Sequence, residues 1–591
     1  MSAYATFEEL KMAAVQAFVR TAILIDNEPY TGAVPPAGDA PKKATSAAAS
    51  HRFRPKQASE ALTTQSETER EPSPAVAAPT LPEPTSIAGH QLAVRPVTNA
   101  FAAKKITCGF YFPTANDADL VEVAYAAAQH VDATIIDWQL REKDTTPAKE
   151  LITKLLLDDR AEGGRLRLIV VYTGERGLDA ECAKLLEHLN KNGLTDFKPE
   201  DQNRALSAPH TLITFANKPA VGDRGVEREG PAARPIAWDA LPAFVLESYT
   251  RLSAGLLQAF ALSSIGAVRD DTHHLLSMFP PKLDAAFLAQ RAGIGDPGDA
   301  EELMTALLVS EFSASIRDRD IAARTLGGDT AAFRVQARER PETMKVEKYS
   351  EEPIYKDIVK ATAGSGKHIL ADEATLATLV RNGLDSKKLV FKKDRKKLEL
   401  QLFADDADGA RQLGSFARLA TLTRESGTSR RTGRGKIALT GGVIVRTIEP
   451  AREDAPEKQT YLLCVQPGCD AVRLQGVYAF PFCRMKQNAD NFDLILSPGA
   501  GLDDATYKVE RKPRDLQLVN FEADPTSQTV QTVEREGKVG FTDTSGTFWE
   551  FIAELRPLEA QHFTTLLVGK FNRVALNTSE WLRLRRGQEE N

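Results

Sequence analysis

Four polar residues stand where short apolar runs stop. Asp26 ends Ala22-Ile-Leu-Ile-Asp26, Asp137 ends Val131-Asp-Ala-Thr-Ile-Ile-Asp137, and Thr173 ends Leu168-Ile-Val-Val-Tyr-Thr173. Lys218 follows Thr211-Leu-Ile-Thr-Phe215, within Asn217-Lys-Pro219. Two carboxylates can hold a hard divalent cation such as Mg2+, which keeps most of its waters. A hydroxyl and an ammonium can bind the equatorial oxygens of a phosphoryl group, and in-line phosphoryl transfer needs little beyond positioning and charge neutralisation. The elements that must present these groups are short, β-branched and continuously apolar, the pattern of strands buried on both faces of a parallel sheet. In such sheets ligands bind beyond the carboxyl ends of the strands, so the four side chains are expected to meet in one crevice.

With these residues in this order, the chain resembles the receiver domain of bacterial two-component response regulators. Gly174 is the small residue that admits the phosphoryl group, Phe215, three before the lysine, takes the place of the switch aromatic, and Lys218-Pro219 repeats the family's Lys-Pro pair. The resemblance implies an α/β doubly wound, parallel five-stranded sheet in flavodoxin-like order. It also implies that Asp137 accepts a phosphoryl group from a histidine-kinase-like partner. By the same likeness Asp26 and Asp137 would hold Mg2+, and Thr173 and Lys218 would coordinate the phosphoryl oxygens. Receivers usually carry two adjacent acids after the first strand. Here the pair is Asp26-Asn27, which removes one charge from a metal site, and Glu28 is the residue placed to compensate.

A strand–helix–strand unit takes about 30 residues, and the intervals from Asp137 to Thr173 and from Thr173 to Lys218 suit one crossover each. Asp26 to Asp137 is far too long. Residues 31–100 hold 10 of the 32 prolines and a single aromatic, Phe53. Such a stretch cannot bury enough apolar surface to offset its ordering entropy, so it is expected to be a disordered insertion. Removing it leaves room for one crossover, whose helix comes either from residues 85–103 or from the amphipathic segment 7–20 that precedes the first strand. The receiver is therefore expected over 1–30 and 101–255, its last helix starting at Leu241.

At 591 residues about three domains fit. A net charge of −6 gives no global pull toward nucleic acid or anionic membrane. Five scattered cysteines suit a reducing compartment, and no apolar run approaches the roughly 20 residues that span a bilayer. A cytoplasmic, bacterial setting is expected, with homodimerisation through the receiver face or the helical module as an available assembly. Helical periodicity over 256–326 reads as a linking module, 327–350 as a charged linker, and 351–591 as an α+β output or interaction domain. Strands are expected at Lys388–Phe391, Leu398–Phe403, Gly442–Ile448, Tyr461–Gln466, Gly476–Phe482, Asp493–Leu496, Leu516–Phe521, Gly537–Thr544 and Trp549–Leu555. A helix is expected over 557–573 and a short one after Asn577.

Other motifs carry less. Asp270 and His274 share a helix face and suit a metal pair or a second phosphoacceptor, but with no third ligand spaced nearby a polar stripe is the favoured reading. Ala361-Thr-Ala-Gly-Ser-Gly-Lys-His368 lacks the hydroxyl and the preceding buried strand of a phosphate loop. Arg430, Arg431, Arg434 and Lys436 put four cations in seven residues without an aromatic to stack on bases, so a solvated loop is favoured over nucleic-acid contact. Cys464, Cys469 and Cys483 fall short of a zinc pattern, and zinc is not expected. No enzymatic activity is expected of the last domain. The rivals to phosphorylation-driven signalling are two. One is a phosphorylation-independent pseudo-receiver scaffold, which by analogy alone fits a bacterial conflict or phage-defence setting. The other is a nucleic-acid effector acting through Arg430–Lys436.

Overall fold

The computed structural model describes residues 6–30, 92–114, 116–141, 144–175, 177–219, 235–294, 297–328, 330–331, 409–426, 436–449, 458–488, 491–497 and 504–571. Two compact units form, one of them comprising Lys11–Leu156 and Leu166–Arg319. Its sheet runs β2 (Thr107–Tyr111), β1 (Thr21–Ile25), β3 (Ala133–Ile136), β4 (Arg167–Thr173), β7 (Thr211–Asn217), β6 (Ala205–Ala208), β5 (Lys198–Glu200). The first five strands are parallel, and the last two extend the sheet antiparallel. The parallel core is the doubly wound, flavodoxin-like sheet expected from the sequence, with an antiparallel hairpin added at its far edge.

Each central strand is apolar without interruption because each of its faces is covered. Ile23, Ile25, Ile136, Ile169, Val171, Ile213 and Phe215 share a core with α3 (Leu120–Ala128), α4 (Thr146–Ala161) and α5 (Leu178–Lys191). Residues of opposite parity, including Leu24, Ile135, Val170 and Tyr172, are buried on the other face, where α2 (Val94–Ala103) and α6 (Leu241–Leu252) lie.

The passage from Asp26 to Asp137 departs from the sequence reading. It contains two crossovers, α2 into β2 and α3 into β3, rather than one. The fold also resumes at Leu92, earlier than residue 101, because Val97 and Phe101 form a buried stripe inside a proline- and alanine-rich composition. Residues 31–91 lie outside the described residues. Of the two sources considered for the first crossover helix, residues 94–103 supply it, and the preceding helix α1 (Phe7–Phe18) is additional.

Helix α7 (Leu256–Ser277) packs against α1 of the same unit. A Cβ on Gly266 would stand 2.5 Å from the Ala17 carbonyl oxygen of α1, so only glycine permits this crossing. Arg269 donates to Asp132 Oδ1 at 2.9 Å and to the Phe18 carbonyl at 2.7 Å, while Arg20 pairs with Asp270 at 2.8 Å. Gly266→Leu is expected to overpack the crossing by roughly 1–3 kcal/mol or more. Hydrogen exchange in α1 and α7 should accelerate while β4 stays protected, and unchanged exchange in α7 would contradict the close crossing. Helices α8 (Asp284–Gly293) and α9 (Pro297–Asp318) follow.

The other unit is built chiefly from residues after 320. Its sheet has ten strands, all antiparallel, and is flanked by helices at Gly409–Thr421 and Pro557–Phe571. Strand periodicity buries two cores. Ile444, Leu463 and Cys483 face one, and Val445, Leu462 and Phe482 face the other. The strands expected between 442 and 555 are present within a few residues, joined by unforeseen short ones at Leu422–Glu425, Ala505–Val509 and Val533–Arg535. Residues 361–368, 388–403 and those from 572 on lie outside the described residues. Among the described residues no helix is long and apolar enough to cross a membrane.

Candidate functional site

Register brings the four sequence-predicted side chains to one end of the sheet. Ile25, Ile136, Val171 and Phe215 sit side by side across β1, β3, β4 and β7, and Thr173 lies opposite Asn217. The next residues, Asp26 and Asp137, therefore leave their strands at the same height, with Thr173 and Lys218 just beyond. The chain is held in this arrangement past the strand ends. Asp26 N–H donates to the Tyr111 carbonyl at 3.1 Å, Asp137 N–H to the Ile25 carbonyl at 2.8 Å, and Lys218 N–H to the Thr173 carbonyl at 2.8 Å.

The Lys218 ammonium bridges the two acids, 2.6 Å from Asp26 Oδ2 and 2.7 Å from Asp137 Oδ2. It is 1 % exposed, as is Asp26, while Asp137 is 7 % exposed and so is the more accessible carboxylate. Two acids and one cation leave a net negative charge in a site withdrawn from water, where such charge is costly. Burial and the Asp137 charge push the Asp26 carboxyl up and Lys218 pulls it down, and the balance leaves it raised to about 6. Burial acts against the Lys218 charge, but the two carboxylates outweigh it and hold the ammonium above its ordinary range.

Asp26 Oδ1 accepts the Glu28 backbone N–H at 2.9 Å, and Oδ2 accepts no hydrogen bond beyond the lysine ion pair. Two carboxylates, one with a buried and underused oxygen, form a hard donor set that fits Mg2+. Glu28 does not join them. Its side chain is exposed and its contribution is the backbone N–H, so the substitute for the missing second acid is not placed to act as one. Among the described residues no group of three His, Cys, Asp or Glu side chains is arranged to hold a metal.

Thr173 is 1 % exposed, and its Oγ1 accepts the Glu175 N–H at 3.2 Å. Phe215 is fully buried, its ring meeting Trp138 edge-on with centroids 5.4 Å apart. Trp138, Glu175 and Asn217 were not singled out from the sequence. The Trp138 indole N–H donates to Glu181 Oε2 of α5 at 2.8 Å, and Gln139 Nε2 donates to Glu175 Oε1 at 2.6 Å. Asn217, 2 % exposed, donates to the Glu175 carbonyl at 2.6 Å. The one available signal was adjacency, since Trp138 follows Asp137 and Asn217 precedes Lys218.

The remaining candidates stay apart from this crevice. Asp270 is taken up by Arg20 and Arg319, while His273 and His274 are exposed, an arrangement in keeping with the favoured polar stripe. Cys464 and Cys483 face different cores and Cys469 is exposed. Lys436 is exposed, and Arg430, Arg431 and Arg434 lie outside the described residues.

Residues 18–223 match the family model of the response receiver domain. Comparison with curated proteins and with solved structures returned no match. The matched segment begins in α1, ends just past Lys218, and contains every member of the crevice. A parallel sheet in the receiver's strand order, its two acids and its lysine in contact, and the family match together identify residues 18–223 as a receiver domain, which supports response-regulator-like signalling in general.

Proposed function

We propose that this protein accepts a phosphoryl group on Asp137 from the phosphohistidine of a kinase-like partner and passes the resulting change to its helical module and C-terminal domain. The observation that carries this reading is the shared ion pair. Lys218 contacts both carboxylates, so its ammonium lies where charge must be neutralised when an acyl phosphate forms. Asp137, the more exposed acid, is the nucleophile. Its oxygen bonds to phosphorus as the P–N bond to the donor imidazole breaks, and the imidazole departs with that electron pair. Asp26 and Asp137 would hold Mg2+, which when bound supplies neutralisation of the phosphoryl oxygens. Thr173, placed on the adjacent strand end, would donate its hydroxyl hydrogen to a phosphoryl oxygen while Oγ1 accepts the Glu175 N–H. Phe215 and Trp138, packed edge-on behind the site, would transmit the resulting change toward α5.

The test is mobility on a phosphate-affinity gel after incubation with acetyl phosphate and Mg2+. The intact chain should shift, and Asp137→Ala should not. An equal shift in both would place the acceptor elsewhere. No shift in either, with Asp137→Asn still functional in cells, would favour the phosphorylation-independent scaffold.

A further inference from the structure

The loop between β4 and α5 carries Thr173 and Gly174, and nothing in the sequence says what fixes it relative to Lys218. Beside the Lys218 N–H bond to the Thr173 carbonyl and the Gln139 bond to the Glu175 carboxylate, the structure supplies a buried side chain for that purpose. Asn217 Nδ2 donates to the Glu175 carbonyl at 2.6 Å and lies 3.4 Å from the Thr173 carbonyl. Its backbone carbonyl accepts Ile236 N–H at 3.0 Å, and the Asn217 backbone bridges to Pro235. One residue thus ties three segments, namely the strand end that bears Lys218, the loop that bears Thr173, and the chain returning toward α6. Glu175, the residue it grips, donates its N–H to Thr173 Oγ1. We propose that Asn217 is a positioning residue for phosphoryl transfer, holding the Thr173–Glu175 loop so that the Thr173 hydroxyl and the Lys218 ammonium face the same phosphoryl group.

The chemistry at this position is restrictive. Two carbonyl oxygens face the side chain, so a donor is required. Aspartate, nearly the same shape, would turn a carboxylate toward those oxygens and repel the loop. Alanine would remove the donor to the half-buried Glu175 carbonyl and loosen the loop. A displacement near 1 Å in a group that contacts the transferred phosphoryl can cost on the order of 100-fold in rate.

This inference rests on phosphorylation at Asp137, and its test separates the two. Labelling rates with acetyl phosphate and Mg2+ are measured on the full chain for wild type, Asn217→Ala, Thr173→Ala and the double variant. Asn217→Ala should label roughly 10- to 100-fold more slowly, and adding it to Thr173→Ala should cause little further loss, because the hydroxyl it positions is already gone. A merely structural role would instead give additive losses that track reduced protection of β4 and β7 in hydrogen exchange. Asn217→Ser, a smaller perturbation, should fall in the same direction should the alanine chain fold poorly. Wild-type rates in both variants, or additive losses, overturn the positioning role. A wild type that does not label overturns the phosphorylation reading itself.

Discussion

Lys218→Met is expected both to abolish labelling of Asp137 and to loosen the receiver at neutral pH. Methionine keeps the apolar stem in its buried channel and removes only the ammonium that lies 2.6 and 2.7 Å from the two carboxylates. What remains is a pair of acids facing each other out of water. Breaking a buried ion pair by removing one partner costs about 3–5 kcal/mol, and here the lost partner served two acids. The loss should depend on pH. With the lysine gone, the folded-state pKa of Asp26 rises further above its unfolded value, so stability is retained at low pH and lost as pH climbs through the folded value. Hydrogen exchange of β1 and β3 should therefore be markedly faster than in wild type near pH 7.5 and close to wild type near pH 5, where one carboxylate holds a proton. Mg2+ should protect the variant more than the wild type, because a divalent cation can replace the missing charge between the acids. Exchange rates that match wild type at neutral pH without metal would show that the lysine is not what balances the site.

The extent to which this site was legible follows from burial. β1, β3, β4 and β7 are covered on both faces, and burial on both faces writes an unbroken apolar run that a reader can find. β2 is the sheet's outer strand, paired on one side with β1, and its residues are half-exposed. Thr107-Cys-Gly-Phe-Tyr111 consequently shows no clear run, so one crossover was counted where two exist. In the β5–β6 hairpin, β5 escaped for the same reason, since Lys198–Glu200 is exposed along its length, while β6 buries only Ala205 and Leu206. The convergence of Asp26, Asp137, Thr173 and Lys218 was readable because each marks the end of a run, and parallel register does the rest. Asn217 was not readable. An asparagine before Lys-Pro looks like a turn residue, and its role depends on carbonyls some forty positions away that only the folded sheet brings near. Gly266 and Arg269 show the same limit. Their meaning lies in a helix crossing, and periodicity alone described α7 as a linker element.

Replacement of Asp26 by asparagine should have the opposite effect on stability to the lysine variant, and the sign follows from the protonation of the folded state. Burial, reinforced by Asp137, raises the Asp26 carboxyl to about 6 from an ordinary 3.8, against the pull of Lys218. A group whose folded-state pKa is raised contributes stability that is complete below the unfolded value and is lost as pH rises through the folded one. In the wild type the window of loss accordingly runs from about pH 4 to about pH 6. Asparagine carries no charge to desolvate and has no such window. The raised value already includes the pull of Lys218, so removing the charge should leave the fold more stable near pH 7.5. Urea unfolding followed by hydrogen exchange in β1 and β3 should show the variant more stable at neutral pH, with the gain shrinking toward zero near pH 4. A gain independent of pH, or a loss at every pH, would mean that the Asp26 carboxylate is not strained by its surroundings. The same variant should label poorly, since it removes one of the two acids able to hold Mg2+. On the proposed reading, a residue whose removal stabilises the fold while disabling the chemistry serves a ligand, and binding of a cation and a phosphoryl group would relieve the strain on the Asp26 carboxylate and so bias the strands around it.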